Sequence, residues 1–400
     1  MGVTIRGGMK RKAHLGARFG VVYWAMLVLS LHWAVVTYIN STYLHDFISE
    51  KTIGVLYVVG STITIFSFLC ISRILKGIGN YTLTVGLAIT ELLVLIGMAL
   101  SHDVRIIVPL FIIHHAVVPL LLFNLDVFLE SFIGKQEEHT GGKRGLLLTI
   151  MSLAGAFAPL LTGYLVGGDD PRFYLAYAAG ALLMLPFLFL IFKHLKDFKD
   201  PAYKHVEVFS ALNRFWVHKD LRFVFLAHFL LQLFFAWMVI YTPLYLATVV
   251  GFNWNEIGVI LFFGLLAYVF FEYPIGQAAD LYIGEKEMMA VGFLILAVTT
   301  GWLSFIPTAS LIPWIITLFL TRIGAALVET TTESYFFKHI AASDANVISF
   351  FRITRPLSYI VGPLLGSFAL LYVSFPMLFV IFGLCLIPGI FFALMITDTK

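Results

Sequence analysis

At LDVFLESF (residues 125–132) two carboxylates, Asp126 and Glu130, stand four apart in a run that is otherwise almost wholly apolar. About 204 residues later the pattern returns in VETTTESYF (328–336), where Glu329 and Glu333 have the same spacing. Working outward, APLLTG (158–163) returns as GPLLGS (362–367), and IGNYTLTVGL (from Ile78) returns as IGEKEMMAVGF (from Ile283), at about the same offset. Three matches at one offset describe a duplicated unit.

The unit is a membrane unit. The chain is 60% hydrophobic and 12% charged, with a mean hydropathy of +0.94. A soluble domain carries about twice that charge fraction. Runs of roughly 20 apolar residues recur from end to end, at about 18–40, 53–75, 81–101, 104–133, 145–166, 172–194, 221–249, 256–276, 287–307, 309–333, 348–372 and 374–396. Duplicated membrane halves are how many secondary transporters are built, with the substrate between them. The net charge of +3 sits in loop lysines and arginines and argues against nucleic-acid binding. Cys70 and Cys385 fall inside apolar spans, so neither a disulfide framework nor a metal site is expected, and no cofactor. The basic N-terminal segment precedes a run too long for a signal peptide's apolar core, so the first run reads as a span.

Twelve spans put both termini on one side. Lysine and arginine crowd the loops of that side, from Lys10, Arg11 and Lys12 through Arg73, Lys143 and Arg144 to Lys286 and Lys338. The opposite loops hold Lys51, Arg105 and Arg172 alone. The positive-inside rule therefore predicts both termini in the cytoplasm, in a multi-pass protein of the cell (inner) membrane. The longest polar stretch divides six spans from six. The organisation expected is an N-terminal bundle (1–194), a cytoplasmic linker (195–220) with an amphipathic piece, and a C-terminal bundle (221–400).

Six spans plus six, a basic central loop and related halves resemble the major facilitator superfamily over nearly the whole chain. In that family the loop between helices two and three reads Gly-x-x-x-Asp-Arg-x-Gly-Arg-Lys. Here SRILKGIGNYT keeps Arg73, Lys76, Gly77 and Gly79 but has no aspartate. The loop between helices eight and nine, GQAADLYIGEKE, keeps Gly276, Asp280, Gly284 and Lys286, with Leu281 where arginine is expected. The Gly-Pro-x-x-Gly-Gly pattern of antiporter helix five survives partly, as Pro159 and Gly163, and more fully in helix eleven, as Gly362, Pro363 and Gly366. The resemblance implies an all-α membrane fold of two pseudo-symmetric six-helix bundles. It also implies that helices one, four, seven and ten line a central cavity.

Candidate gate residues on the cytoplasmic side follow from pairing an acid at one helix end with a base starting another. They are Arg73, Asp126, Glu130, Lys143, Arg144, Asp280, Glu333, Arg352 and Arg355. Inside the bilayer an ionisable group is a functional candidate by default. Arg322 lies too deep to snorkel, with Glu91 and Glu329 as possible counter-charges. His32, His114, His115 and His228 suit proton coupling. Adjacent His114 and His115 point about 100° apart, so at most one faces the cavity. Trp33, Asn124, Gln232, Trp237 and Tyr241 complete the candidates for solute binding. Glu272 and Tyr273 could serve as a proton site or as a partner for Lys143.

The function expected is secondary transport of a small solute by alternating access, with a proton as coupling ion and a monomer in the lipid bilayer as the working unit. Aromatic richness and the partial Pro/Gly stretch favour export of drugs or metabolites; Arg322 favours uptake of an anionic metabolite. Paired acids without metal-type partners argue against a membrane enzyme, and a non-transporting sensor is the remaining alternative.

Overall fold

The computed structural model describes residues 2–133, 140–168, 170–201, 216–279, 283–306, 309–339 and 350–397. Within these helices the side chains of 2–19, 50, 51, 72, 130, 133, 140–149, 337 and 339 are not described. Among the described residues the chain is all helix, turn and loop, with no strand.

The elements are α1 (Gly2–Thr37), α2 (Asn40–His45), α3 (Glu50–Leu100), α4 (Val104–Ile133), α5 (Thr140–Val166), α6 (Phe173–His194), α7 (Lys219–Tyr245), α8 (Trp254–Ala278), α9 (Glu285–Trp302), α10 (Leu311–His339), α11 (Thr354–Ala369), α12 (Phe375–Leu386) and α13 (Pro388–Met395). A π turn, Leu246–Val250, extends α7, and a 3-10 turn, Leu303–Phe305, extends α9. Among the described residues ten helical stretches are long and apolar enough to cross a membrane, and Ile150–Val166 within α5 is a shorter apolar helix. Pro356, Tyr359, Gly362 and Pro363 of α11 are buried, while Leu364 and Phe368 face outward. Trp24, Phe66, Tyr164 and Leu182 stand on the outer surface, where a bilayer supplies the apolar contact that water would not.

Spans two and three are the two arms of α3, which bends at Gly79 (φ 77). That conformation favours glycine. The second arm begins at Asn80, whose backbone N–H donates to Asp200 Oδ1 at 2.8 Å. The segment after α6 thus caps a helix of span three. The amphipathic piece expected in the linker lies outside the described residues.

In the first half α1 packs on α4, α5 and α6, and α3 packs on α4 and α6. In the second half α7 packs on α10, α11, α12 and α13, while α10 packs on α8 and α9. The halves meet where α5 lies along α8 and where α3 lies along α11. The first arm of α3 is span two. The repeat exchanges five with eleven and two with eight, so these are one contact seen twice. Glycines set both crossings. A Cβ on Gly258 would meet Pro159 O at 2.5 Å, and one on Gly54 would meet Ser367 Oγ at 2.5 Å and Pro363 O at 3.4 Å. Helices in lipid associate through such close approach.

Candidate functional site

Two arginines of the second half converge on one tyrosine of the first. Arg322, in the middle of α10, is 3% exposed. Its Nη1 donates to Thr321 Oγ1 at 3.0 Å, and its guanidinium lies 5.4 Å from the centre of the Phe234 ring of α7. It faces Tyr38, in the turn after α1, and Tyr268 of α8. Arg355, in the first turn of α11, stacks 4.7 Å over the Trp33 ring of α1 and faces Tyr38 and Tyr359. Among the described residues neither arginine has a carboxylate within ion-pair distance. A buried guanidinium without an acid is costly. Its fixed fork of donors suits a planar carboxylate or a phosphate. The sequence reading took Arg355 for a gate residue; in the structure its guanidinium lies over the Trp33 ring.

Acids gather further along α10. Glu329 faces Glu272 of α8, Glu333 of its own helix and, among bases, Arg355. Glu272 Oε2 accepts from Ser152 Oγ of α5 at 3.1 Å, which ties the halves together beside these acids. Tyr273 points outward, and its hydroxyl accepts from Gln277.

The four candidate histidines occupy three different environments. His32 of α1 and His114 of α4 close on one acid, Glu91 of the second arm of α3. His32 Nε2 is 2.9 Å and His114 Nδ1 is 2.6 Å from the same oxygen, Oε1. All three side chains are buried. Glu91 was read as a counter-charge for Arg322; it is instead held by two histidines inside the first half, because its face of span three points inward onto α1 and α4. His115 points elsewhere, bonding Ser61 Oγ at 2.9 Å and packing edge-on to Tyr57 and against Tyr359 of α11. His228 of α7 stacks on Phe351. Its Nδ1–H donates to Thr354 Oγ1 at 2.8 Å, its Nε2 accepts from Gln232 at 3.2 Å, and Glu333 Oε1 lies 3.8 Å away. This tautomer is assigned from its partners, since Gln232 presents an amide donor.

At the basic end, Arg352 Nη1 meets Asp126 Oδ2 at 3.0 Å, joining the segment that leads into α11 to α4 across the halves. Arg73 is exposed. The side chains of Glu130, Lys143 and Arg144, and the whole of Asp280, lie outside the described residues. Buried Glu285 pairs with Lys338 at 2.6 Å and accepts from Ser334, an ion pair of the second half that the sequence reading did not pick out.

The remaining candidates are packed. Trp237 Nε1 donates to Gly362 O at 3.0 Å and its ring stacks on Phe382; the Tyr241 hydroxyl donates to Pro363 O. Both fasten α7 to α11. Asn124 is buried with its amide unpartnered, while its backbone carbonyl accepts from Asn80. Tyr38 was missed, because a tyrosine in an apolar helix carries no signal until Arg322 and Arg355 are seen to meet it. Asn40, which heads an Asn-Ser-Thr sequence, is buried and accepts from the Tyr177 hydroxyl at 2.8 Å.

Comparison with known proteins places this architecture. Residues 224–400 match the sequence pattern of the Major Facilitator Superfamily. Nearly the whole chain superposes on solved transporter structures at low identity. A mutant of the nucleoside transporter NupG matches with a TM-score of 0.73 at 12% identity, over 96% of this chain and 100% of that one. A POT family transporter in complex with 5-aminolevulinic acid gives 0.77 at 11% identity, over 93% and 94%. A POT family transporter with a thioalcohol-conjugated peptide gives 0.75 at 12% identity, over 93% and 94%. No curated protein sequence matches. The chain is a multi-pass integral membrane protein; its second half carries the Major Facilitator Superfamily sequence pattern, and the chain shares its fold with these transporter structures. The three structures are of transporters.

Proposed function

We propose that the protein moves a small solute carrying an anionic group by alternating access, with proton coupling, as a monomer with both termini in the cytoplasm. The observation that carries this reading is the convergence of Arg322 and Arg355 on Tyr38, where the end of α1 meets α10 and α11, with no carboxylate within ion-pair distance of either arginine among the described residues. A solute carboxylate or phosphate would supply the missing charge, and Trp33, Phe234 and Tyr359 would pack its apolar part. The junction belongs to both halves, so binding there reports on their relative position. The arginines favour anion transport over the export of neutral or cationic drugs.

A thermal-shift screen across solute classes tests the reading, with 5-aminolevulinic acid, the compound in one structural neighbour, among the first tried. Anionic compounds should raise the melting temperature of the wild type and not that of Arg322→Ala. An anion response unchanged in that variant, or none at all, would count against it. Proton coupling is checked by flux of the best compound into proteoliposomes with and without a pH gradient; flux indifferent to the gradient would sink it.

A further inference from the structure

His32, Glu91 and His114 form a closed set between α1, the second arm of α3 and α4, and their hydrogen bonds fix how many protons they share. His32 Nδ1 lies 3.2 Å from Leu29 O, and a carbonyl can only accept, so Nδ1 carries a hydrogen. The contacts of Glu91 Oε1 with His32 Nε2 at 2.9 Å and with His114 Nδ1 at 2.6 Å each need one hydrogen between two otherwise lone-pair atoms. The set therefore holds three such protons, one more than an ionised carboxylate with two neutral imidazoles would hold. With that proton it is electrically neutral, which is what a wholly buried set requires. Without it, one contact breaks and a net negative charge is left in an apolar interior.

We infer that this set is where the protein takes up and releases its coupling proton; the inference rests on the proton-coupled reading above. The proton leaves from the Glu91 Oε1···His32 Nε2 contact to water, and the carboxylate remains ionised between two neutral rings. Glu91 Oε2 is buried with no hydrogen-bond partner, so the acid has an oxygen in reserve for water when the set opens. The surroundings isolate it. The groups that act on Glu91 are His32 and His114. His115 stands next to His114, and Arg355 of α11 reaches His115. From α6, Gly180 approaches the His32 ring: a Cβ there would lie 3.8 Å from His32 Cδ2.

The link to the solute is α1. His32 precedes Trp33, which carries Arg355, and Tyr38, which both arginines face, stands in the turn that follows α1 directly. A proton that holds α1 against α3 and α4 therefore also holds one wall of the arginine junction. Loss of the proton frees that wall.

The test uses protons alone. Spin labels at Ile78 and Ile283, equivalent exposed positions at the basic end of the two halves, report the separation of the halves in the full chain. The inter-label distance should shift with pH in the wild type. The shift should be lost in Glu91→Gln and in His32→Gln, and should return in Glu91→Asp at a displaced midpoint. Potentiometric titration should count one proton per chain fewer in Glu91→Gln. A wild-type pH response that survives in both neutral variants overturns the assignment, as does an equal proton count. A transition metal that co-purifies at one per chain and is lost in Glu91→Gln would also overturn it. Failure of the broader reading shows elsewhere, as solute flux indifferent to a pH gradient.

Discussion

Gly163 of α5 and Gly258 of α8 pass so closely that a side chain on either would strike the other helix's backbone. A Cβ on Gly163 would lie 2.6 Å from Trp254 O, and one on Gly258 would lie 2.5 Å from Pro159 O. This crossing lies toward the end of the molecule opposite the basic loops. Gly258→Val should wedge it open, because a backbone atom cannot yield as a flexible side chain can. A cysteine placed at buried Ser41 should then react severalfold faster with an impermeant maleimide. Gly155→Val is the control, since nothing lies within 4 Å of a Cβ there, and its labelling rate should stay at that of the wild type.

At the other end the halves are joined by charge. Asp126 and Arg352 are both partly exposed, so their pairing is worth only about 0.2–1 kcal/mol. That is too little to hold a fold and enough to bias a transporter between states. Asp126→Lys should increase the distance between labels on α4 and α11, Arg352→Glu should do the same, and the two together should restore it. A double variant as open as the singles would show that the pair does not act as a latch.

The scaffold was legible because duplication and span length are properties of sequence alone. The offset that links Asp126 to Glu329 also exchanges the two inter-half crossings, and the depth of Arg322 could be counted from its helix end. The divergence of His114 and His115 followed from the helical period. What could not be read was rotational phase. Glu91 meets His32 and His114 only because three helices present particular faces to one another, and no spacing within one helix encodes that. The expectation that helices one, four, seven and ten line the cavity drew attention away from span three. Arg355 was misplaced for a related reason: its position in the chain marks a helix end, but its guanidinium lies over the Trp33 ring.

Arg322 separates a binding role from a structural one through stability. Breaking a buried ion pair leaves one charge stranded and costs about 3–5 kcal/mol. Arg322 has no acid partner among the described residues, so Arg322→Met strands no carboxylate. Without solute, the melting temperature of that variant should equal or exceed that of the wild type. A large fall would mean that the arginine holds the bundle together.

The last prediction concerns the bend in α3. Asp200 Oδ1 accepts from the Asn80 backbone N–H, and a Cβ on Gly79 would come within 2.6 Å of Asp200 Oδ2. Asp200→Ala should cost about 1 kcal/mol through loss of the cap, and Asp200→Asn less, since an acceptor remains. Gly79→Ala should cost more than a simple side-chain addition, because φ at this residue is 77 and the new methyl also crowds the cap. Removing Asp200 removes that crowding. Thermal unfolding of the double variant should therefore show a loss smaller than the sum of the single losses, as expected for residues in contact. Strict additivity would mean that the carboxylate does not sit over the bend.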